Sequence, residues 1–487
     1  MTDFRFYFDG TNGTAISGTV PVDMLISSAS KLDTVATLPF NYSDALFDRS
    51  GCSYNHELAI MSLGMTMAAF SKKGHGDKHI RSLLKAIGCS ERTIRTSKFD
   101  RTSPTDDSCG YAFAAKRLPD DSHLIPVVIR SHCYGGEWVS NAHVADDSCP
   151  DHSVGFKNAA DKVYDALSSY IEQRGFNRSR IKIWVTGFSR GAAVANLLGA
   201  RLNLESDIPK DDIFVYTFAT PCTVYDRANG FMDNIFNIVS ELDVVPRVPL
   251  RDWSFTRYGT DLYLPCRARR GNDEFIRLKE NMQVQFNDLM EKLDVTDAHY
   301  DPLDDQEIAL DLLMDYLDDL ISSPEKYSDG GYQSILMEYM HSKTSAFEFQ
   351  LRSFLRFLLD GNNELADDLC SLIEHWNELG AIEKVQRITR LPSKRRQGDK
   401  TPAGEIISMA IGIFARYAAK LTATKVTRGD QNYYYEQLVT MFVDAYHNSG
   451  NSSLIMQHWP EVYLAWLKSG DEKELFRTTS YCRKSVK

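Results

Sequence analysis

Gly187-Phe188-Ser189-Arg190-Gly191 is the part of this 487-residue chain best suited to do chemistry, because a serine stands between two glycines at two-residue spacing. The apolar run Ile181 to Val185 precedes it, and the small-residue run Ala192 to Leu198 follows. A strand that feeds a helix through so sharp a turn holds its serine in a strained conformation with the hydroxyl presented, and flanking glycines remove side chains that would collide there. The helix would start directly after Ser189, aiming its N-terminal N–H groups at charge developing on a substrate oxygen. The pattern points to nucleophilic acyl transfer through Ser189. An ordinary glycine-flanked turn is the alternative, and the strand before and helix after favour the nucleophile.

A serine nucleophile needs a base to take its proton and a carboxylate to orient that base, and on a strand–elbow–helix framework these follow in the order Ser, acid, His. Asp243 follows the apolar run Ile235 to Val239 through Ser240-Glu241-Leu242, and Pro246 and Pro249 stiffen the loop behind it. Glu241 competes as the acid. Five histidines lie beyond Asp243: His299, His341, His375, His447 and His458. His375 sits within a helical pattern, and His341 and His447 lie near helix ends, where an imidazolium is favourable to the dipole. His299 falls in the acidic loop Asp294 to Asp305, whereas His458 stands just before Pro460, which can begin an apolar helix. A base on the loop before the last core helix favours His458, with His299 as the alternative. The long separation from Asp243 is tolerable because loop-closure entropy grows only logarithmically.

The elements that must position these residues alternate. Helical spacing runs from Asn55 to Phe70 and again from Ile80 to Ile87. A strand is expected at Pro126 to Ile129, a helix from Ala159 to Gln173 ended by Arg174-Gly175, and further strands at Ile213 to Phe218 and Ile235 to Val239. Strands alternating with helices imply an α/β architecture with a mostly parallel sheet covered on both faces. Residues 1–50, with runs at Phe4 to Phe8 and Thr34 to Leu38, read as a strand-rich cover. Residues 51–268 form the core, 269–450 a large helical insertion that is a candidate cap or lid, and 451–487 the return to the core. The basic run Lys394-Arg395-Arg396 reads as a solvated loop, with an anionic-membrane contact as the alternative.

Composition narrows the function classes. A net charge of -11 disfavours a nucleic-acid surface, so no nucleic-acid partner is expected. No basic-then-apolar leader opens the chain, and the most apolar helical stretch, Ile406 to Ala415, falls short of the ~20 residues needed to cross a bilayer. The nine cysteines include no C-x-x-C pair, which fits a reducing compartment, and a cytoplasmic location is the expectation.

Several segments together resemble one family. Thr217-Phe218-Ala219-Thr220-Pro221 and the later Asp243-Val244-Val245-Pro246-Arg247-Val248-Pro249 are similar to the "TFGxP … DxVPxxP" pattern of class 3 (fungal-type) lipases. Val127-Val128-Ile129-Arg130-Ser131-His132 is similar to the family's strand ending in "RGT" or "RGS". Glu137-Trp138-Val139-Ser140-Asn141 resembles its "W-x-x-N", and His152-Ser153-Val154-Gly155-Phe156 its "H-x-GF". The resemblance spans about residues 125 to 260 and implies an α/β-hydrolase fold, a lipid-like or small acyl ester substrate, and Asp243 as the triad acid.

It also implies an oxyanion hole made by the backbone N–H groups of Arg190 and His132. The elbow departs from the family's usual "GHSLGG": Phe188 and Arg190 replace His and Leu, a variant similar to bacterial lipase-like hydrolases. The Arg190 side chain then has two readings, a contact to an anionic substrate or a surface arginine. The chemistry requires no metal or organic cofactor. A transient contact with a membrane or lipid interface goes with the substrate class. A phospholipase, thioesterase or acyltransferase would use the same triad, and a noncatalytic hydrolase-like binding protein is the distant alternative.

Overall fold

Parallel strands buried on both faces must be apolar along their whole length, and the central strands of this protein are. The computed structural model describes residues 15–26, 34–70, 76–99, 109–131, 152–225, 232–247, 255–296 and 456–476. The runs Phe4 to Phe8 and Lys394 to Arg396, the segment Glu137 to Asn141, and most of the expected insertion lie outside them.

The chain begins with a hairpin of β1 (Ser17–Leu25) and β2 (Val35–Ser43), followed by α1 (His56–Ala69) and α2 (Lys78–Ala86). Short strands β3 (Arg95–Ser97), β4 (Tyr111–Phe113) and β5 (Lys116–Arg117) lead to β6 (His123–Ile129). Next come α3 (Val154–Arg174), β7 (Ile181–Phe188), α4 (Arg190–Glu205), β8 (Ile213–Phe218) and β9 (Val224–Tyr225). The core continues through β10 (Ile235–Val239), β11 (Phe255–Thr256) and β12 (Thr260–Tyr263). Helices α5 (Arg267–Arg270), α6 (Asn272–Lys292), α7 (Pro460–Lys468) and α8 (Glu472–Leu475) complete the described chain.

The main sheet has the order β12-β10-β8-β7-β6-β4-β3, with β5 also paired to β6. From β12 to β6 every pairing is parallel, and β3, β4 and β5 add an antiparallel margin. With helices on both faces, this mostly parallel sheet is the α/β-hydrolase fold. Pro126 has no N–H to give, and the antiparallel ladder along β6 is interrupted opposite it, between β4 and β5.

Each face has its own core. On one side α3 and α4 cover Ile125, Ile183, Val185 and Val215. On the other, Trp184, Phe214 and Phe236 pack with α1, the hairpin, α6 and α7. Helix α1 is buried on nearly every side from Leu58 to Ala69, as a helix wedged between sheet, hairpin and α7 must be. Its Ser62 hydroxyl accepts the Trp184 indole N–H at 2.8 Å, pinning α1 across β7. The hairpin buries alternate residues (Val20, Val22 and Met24 against Leu38 and Phe40) and leaves the others to solvent.

Two boundaries differ from the periodicity reading. Helix α3 starts at Val154 rather than Ala159, because Val154, Gly155 and Phe156 form a buried first turn that resembles a loop in sequence. Helix α6 lies in the core rather than outside it: the Phe275 ring is 6.5 Å from Trp466 of α7. Val295 and Met456, which border the undescribed stretch, belong to the same core cluster. No described helix is long and apolar enough to cross a membrane.

Candidate active site

Strand β7 ends at Phe188 and α4 begins at Arg190, leaving Ser189 alone between them at φ 54° and ψ -122°. A side chain in this region costs ~1–3 kcal/mol, so the surroundings must hold it. They do so by close packing. A Cβ on Gly187 would lie 2.2 Å from Gly191 O, and one on Gly191 would lie 2.4 Å from Ile129 O of β6. The flanking glycines thus let the start of α4 rest directly on strand backbone. The Ser189 N–H also donates to Phe218 O at 2.9 Å, tying the elbow to β8.

At the end of β10 the chain turns through Ser240, Glu241 and Leu242 to Asp243, which is fully buried. Its Oδ1 accepts the Val245 N–H at 2.9 Å. Oδ2 accepts from His458 Nδ1 at 2.8 Å, and the other ring nitrogen, Nε2, accepts from Ser189 Oγ at 2.9 Å. These proton positions follow from the network, since a carboxylate can only accept. Ser189 and His458 are each 3% exposed, so the relay is shielded from water that would compete for its hydrogen bonds.

His458 is carried on the turn before α7, whose first residue is Pro460. The helix also supplies Tyr463, whose hydroxyl donates to Asp243 Oδ2 at 2.9 Å and accepts the Ser240 N–H at 3.2 Å. Burial, and then the Asp243 carboxylate, push the Tyr463 phenol well above its ordinary value, so it remains a donor. The Phe188 ring stands 5.2 Å from His458 and 5.5 Å from Tyr463. In sequence Tyr463 is one more aromatic in an apolar helix, and nothing in its local pattern separates it from a core residue. Tyr463→Phe should lower stability by about 2 kcal/mol, the cost of losing a hydrogen bond to a buried carboxylate and of orphaning the Ser240 N–H. Turnover should fall less than tenfold, because Asp243 keeps the Val245 and His458 donors; urea titration and initial rates measure the two effects.

The competing acid, Glu241, points elsewhere. It pairs with Arg269 Nη2 at 2.5 Å and accepts from Cys266 Sγ at 3.0 Å. Burial works to raise its carboxyl, but the hydrogen bond and charge of Arg269 outweigh that and hold it below the ordinary range. His299, His341, His375 and His447 lie outside the described residues.

Of the two expected oxyanion donors, His132 also lies outside them. Arg190 is the first residue of α4, where a backbone N–H has no intrahelical acceptor by geometry. Its side chain is 3% exposed, and the guanidinium lies 5.7 Å over the Phe156 ring of α3. The surface-arginine reading gives way to this inward cation–π packing. Ala219, where the lipase pattern has glycine, takes φ 50°, a left-handed conformation that glycine adopts without strain. Chemically, the assembled groups can move a proton from Ser189 to His458 while Asp243 holds the imidazole and stabilises its cation.

No curated protein matches the chain. Among solved structures it is similar to the mono- and diacylglycerol lipase from Aspergillus oryzae, with 20% identity over 44% of this chain and 81% of that one and a TM-score of 0.33. It is also similar to the native Rhizomucor miehei lipase propeptide complex, with 18% identity over 44% and 68% and a TM-score of 0.31. A lipase from Rhizopus microsporus var. chinensis gives 16% identity over 46% and 76%, with a TM-score of 0.31. The model of the class 3 lipases matches residues 127–253, the segment that carries the end of β6, the serine elbow, β8, β10 and Asp243, and over that segment this chain is similar to the class 3 lipases.

Proposed function

We propose that this chain hydrolyses carboxylic esters of lipid-like acyl substrates through an acyl-enzyme on Ser189. The observation that carries the reading is the buried hydrogen-bond relay from Asp243 through His458 to a strained Ser189 at the head of α4. Ser189 Oγ attacks the ester carbonyl carbon as His458 Nε2 takes its proton. The resulting oxyanion is met by the Arg190 N–H and, by the family resemblance, that of His132. Collapse of this intermediate expels the alcohol, which receives the proton from His458. Water then attacks the acyl-serine by the same route, releasing the acid and restoring the hydroxyl. The class 3 lipase match supports a lipid ester as substrate. The stretch between α6 and α7 is proposed as the insertion that covers the acyl site; its two borders, Val295 and Met456, share one core cluster, so the core closes without depending on the length of that stretch.

A fluorophosphonate probe tests the proposal. Wild type should be labelled, Ser189→Ala should not, and Asp243→Asn should react on the order of 10⁴-fold more slowly, as expected for a base held in the wrong tautomer. A folded wild type that the probe leaves untouched would remove the catalytic reading and leave a binding protein. Product analysis on matched glycerolipid, phospholipid and thioester panels then assigns the ester class.

A further inference from the structure

Behind the acid loop lies a buried cation that the relay itself does not use. The Arg257 side chain follows β11 and is 2% exposed. Two of its nitrogens form a fork with Asp261 of β12: Nε donates to Oδ1 at 3.0 Å and Nη2 to Oδ2 at 2.7 Å. The third, Nη1, donates to Thr220 O at 2.9 Å, in the turn after β8, and to Pro246 O at 2.7 Å, three residues beyond Asp243. One guanidinium therefore joins β12, the β8 turn and the acid loop.

The clamp also reaches the nucleophile's helix. Asp261 Oδ1 accepts from Asn237 Nδ2 of β10 at 3.1 Å, and Asn237 Oδ1 accepts from Asn196 Nδ2 of α4 at 2.9 Å. Asn196 lies about two helical turns beyond Ser189. Arg257, Asn237 and Asn196 are buried and Asp261 is partly so, a setting where polar groups are costly unless paired and where a satisfied network selects a single geometry. Burial and Asp243 raise the Tyr463 phenol, and the Arg257 charge acts on that phenol in the opposite sense.

We infer that Arg257 is a positioning residue for the reaction: held by Asp261, it sets the acid loop against the nucleophile helix and so fixes the reach of Asp243 to His458. The inference rests on the serine-hydrolase reading above. A rigid fork of five donors suits this task; the three donors of a lysine ammonium radiate from one nitrogen and cannot reproduce the paired contact to both Asp261 oxygens while also reaching Thr220 O and Pro246 O.

The test uses the full chain, a short-chain p-nitrophenyl ester for kcat and KM, and the rate of fluorophosphonate labelling. Arg257→Lys, which keeps the charge and loses the fork, should lower kcat and the labelling rate by about 10- to 100-fold with KM changed less than twofold, as expected when a catalytic group is misplaced by around 1 Å. Asp261→Asn, which keeps the volume and loosens the clamp, should move the same parameters in the same direction and remain folded where an arginine substitution does not. Combining the two should cost less than the product of the single losses, because both act on one clamp. Wild-type kcat in folded Arg257→Lys or Asp261→Asn overturns the inference, as does a loss confined to KM or to thermal stability. Absence of labelling in wild type overturns the hydrolase reading instead, and that result is in hand before any variant is made.

Discussion

His458→Ala should lower kcat roughly 10⁴- to 10⁶-fold, while His299→Ala leaves turnover near the wild-type value. The size follows from the way such groups act as a unit. Without the imidazole, Ser189 Oγ keeps its proton as it attacks, and what remains is the contribution of substrate binding and the oxyanion donors. KM should change little, since His458 meets the reacting atoms rather than the rest of the substrate. The protein should stay folded: Asp243 retains the Val245 N–H at 2.9 Å and the Tyr463 hydroxyl at 2.9 Å, so its carboxylate is not left bare. Steady-state rates on a saturating ester, with circular dichroism as the control for folding, measure the effect. If His299→Ala abolished turnover and His458→Ala did not, the relay described here would not be the catalytic one.

Gly191→Ala should destabilise the fold by about 3 kcal/mol or more, although the same change near a helix start is ordinarily neutral or favourable. Alanine is the better helix former by up to ~1 kcal/mol, and it would win if space allowed. Here its methyl would come within 2.4 Å of Ile129 O and 2.8 Å of Arg130 O. Those oxygens belong to the backbone at the end of β6, so no rotamer change relieves the overlap. The first turn of α4 must lift from the sheet, carrying Ser189 away from His458. Labelling of Ser189 should therefore fall along with stability. In urea the midpoint should drop with the slope unchanged, the sign of a lost native contact rather than an altered denatured state. Wild-type midpoint and labelling in Gly191→Ala would mean that α4 does not rest on β6 as described.

What could be read from the chain alone has a common character: it depends on neighbours within a few residues. Strands β8 and β10 have the limits that their apolar runs suggest, because strands covered on both faces must be apolar throughout. The serine elbow is legible for a similar reason, since strand, glycines, serine and small-residue helix are consecutive. The start of α3 was less legible, because Gly155 in its first turn has the appearance of a loop residue until packing buries it.

Other features required the tertiary structure. Asp243 and Glu241 are both carboxylates two positions apart on one turn, and only the arrival of Arg269 and Cys266 beside one and of His458 and Tyr463 beside the other separates them. On sequence grounds Arg190 is a contact to an anionic substrate or a surface arginine; in the fold its guanidinium packs over the ring of Phe156. The turn holding His458 meets Asp243 across 215 positions of chain. The role of Arg257 arises where strand β12, the turn after β8 and the acid loop converge on one guanidinium. Periodicity and turn chemistry act over a few bonds and so are written locally. Which charges become partners depends on which surfaces the folded core brings together, and that is decided only when the whole sheet has closed on its helices.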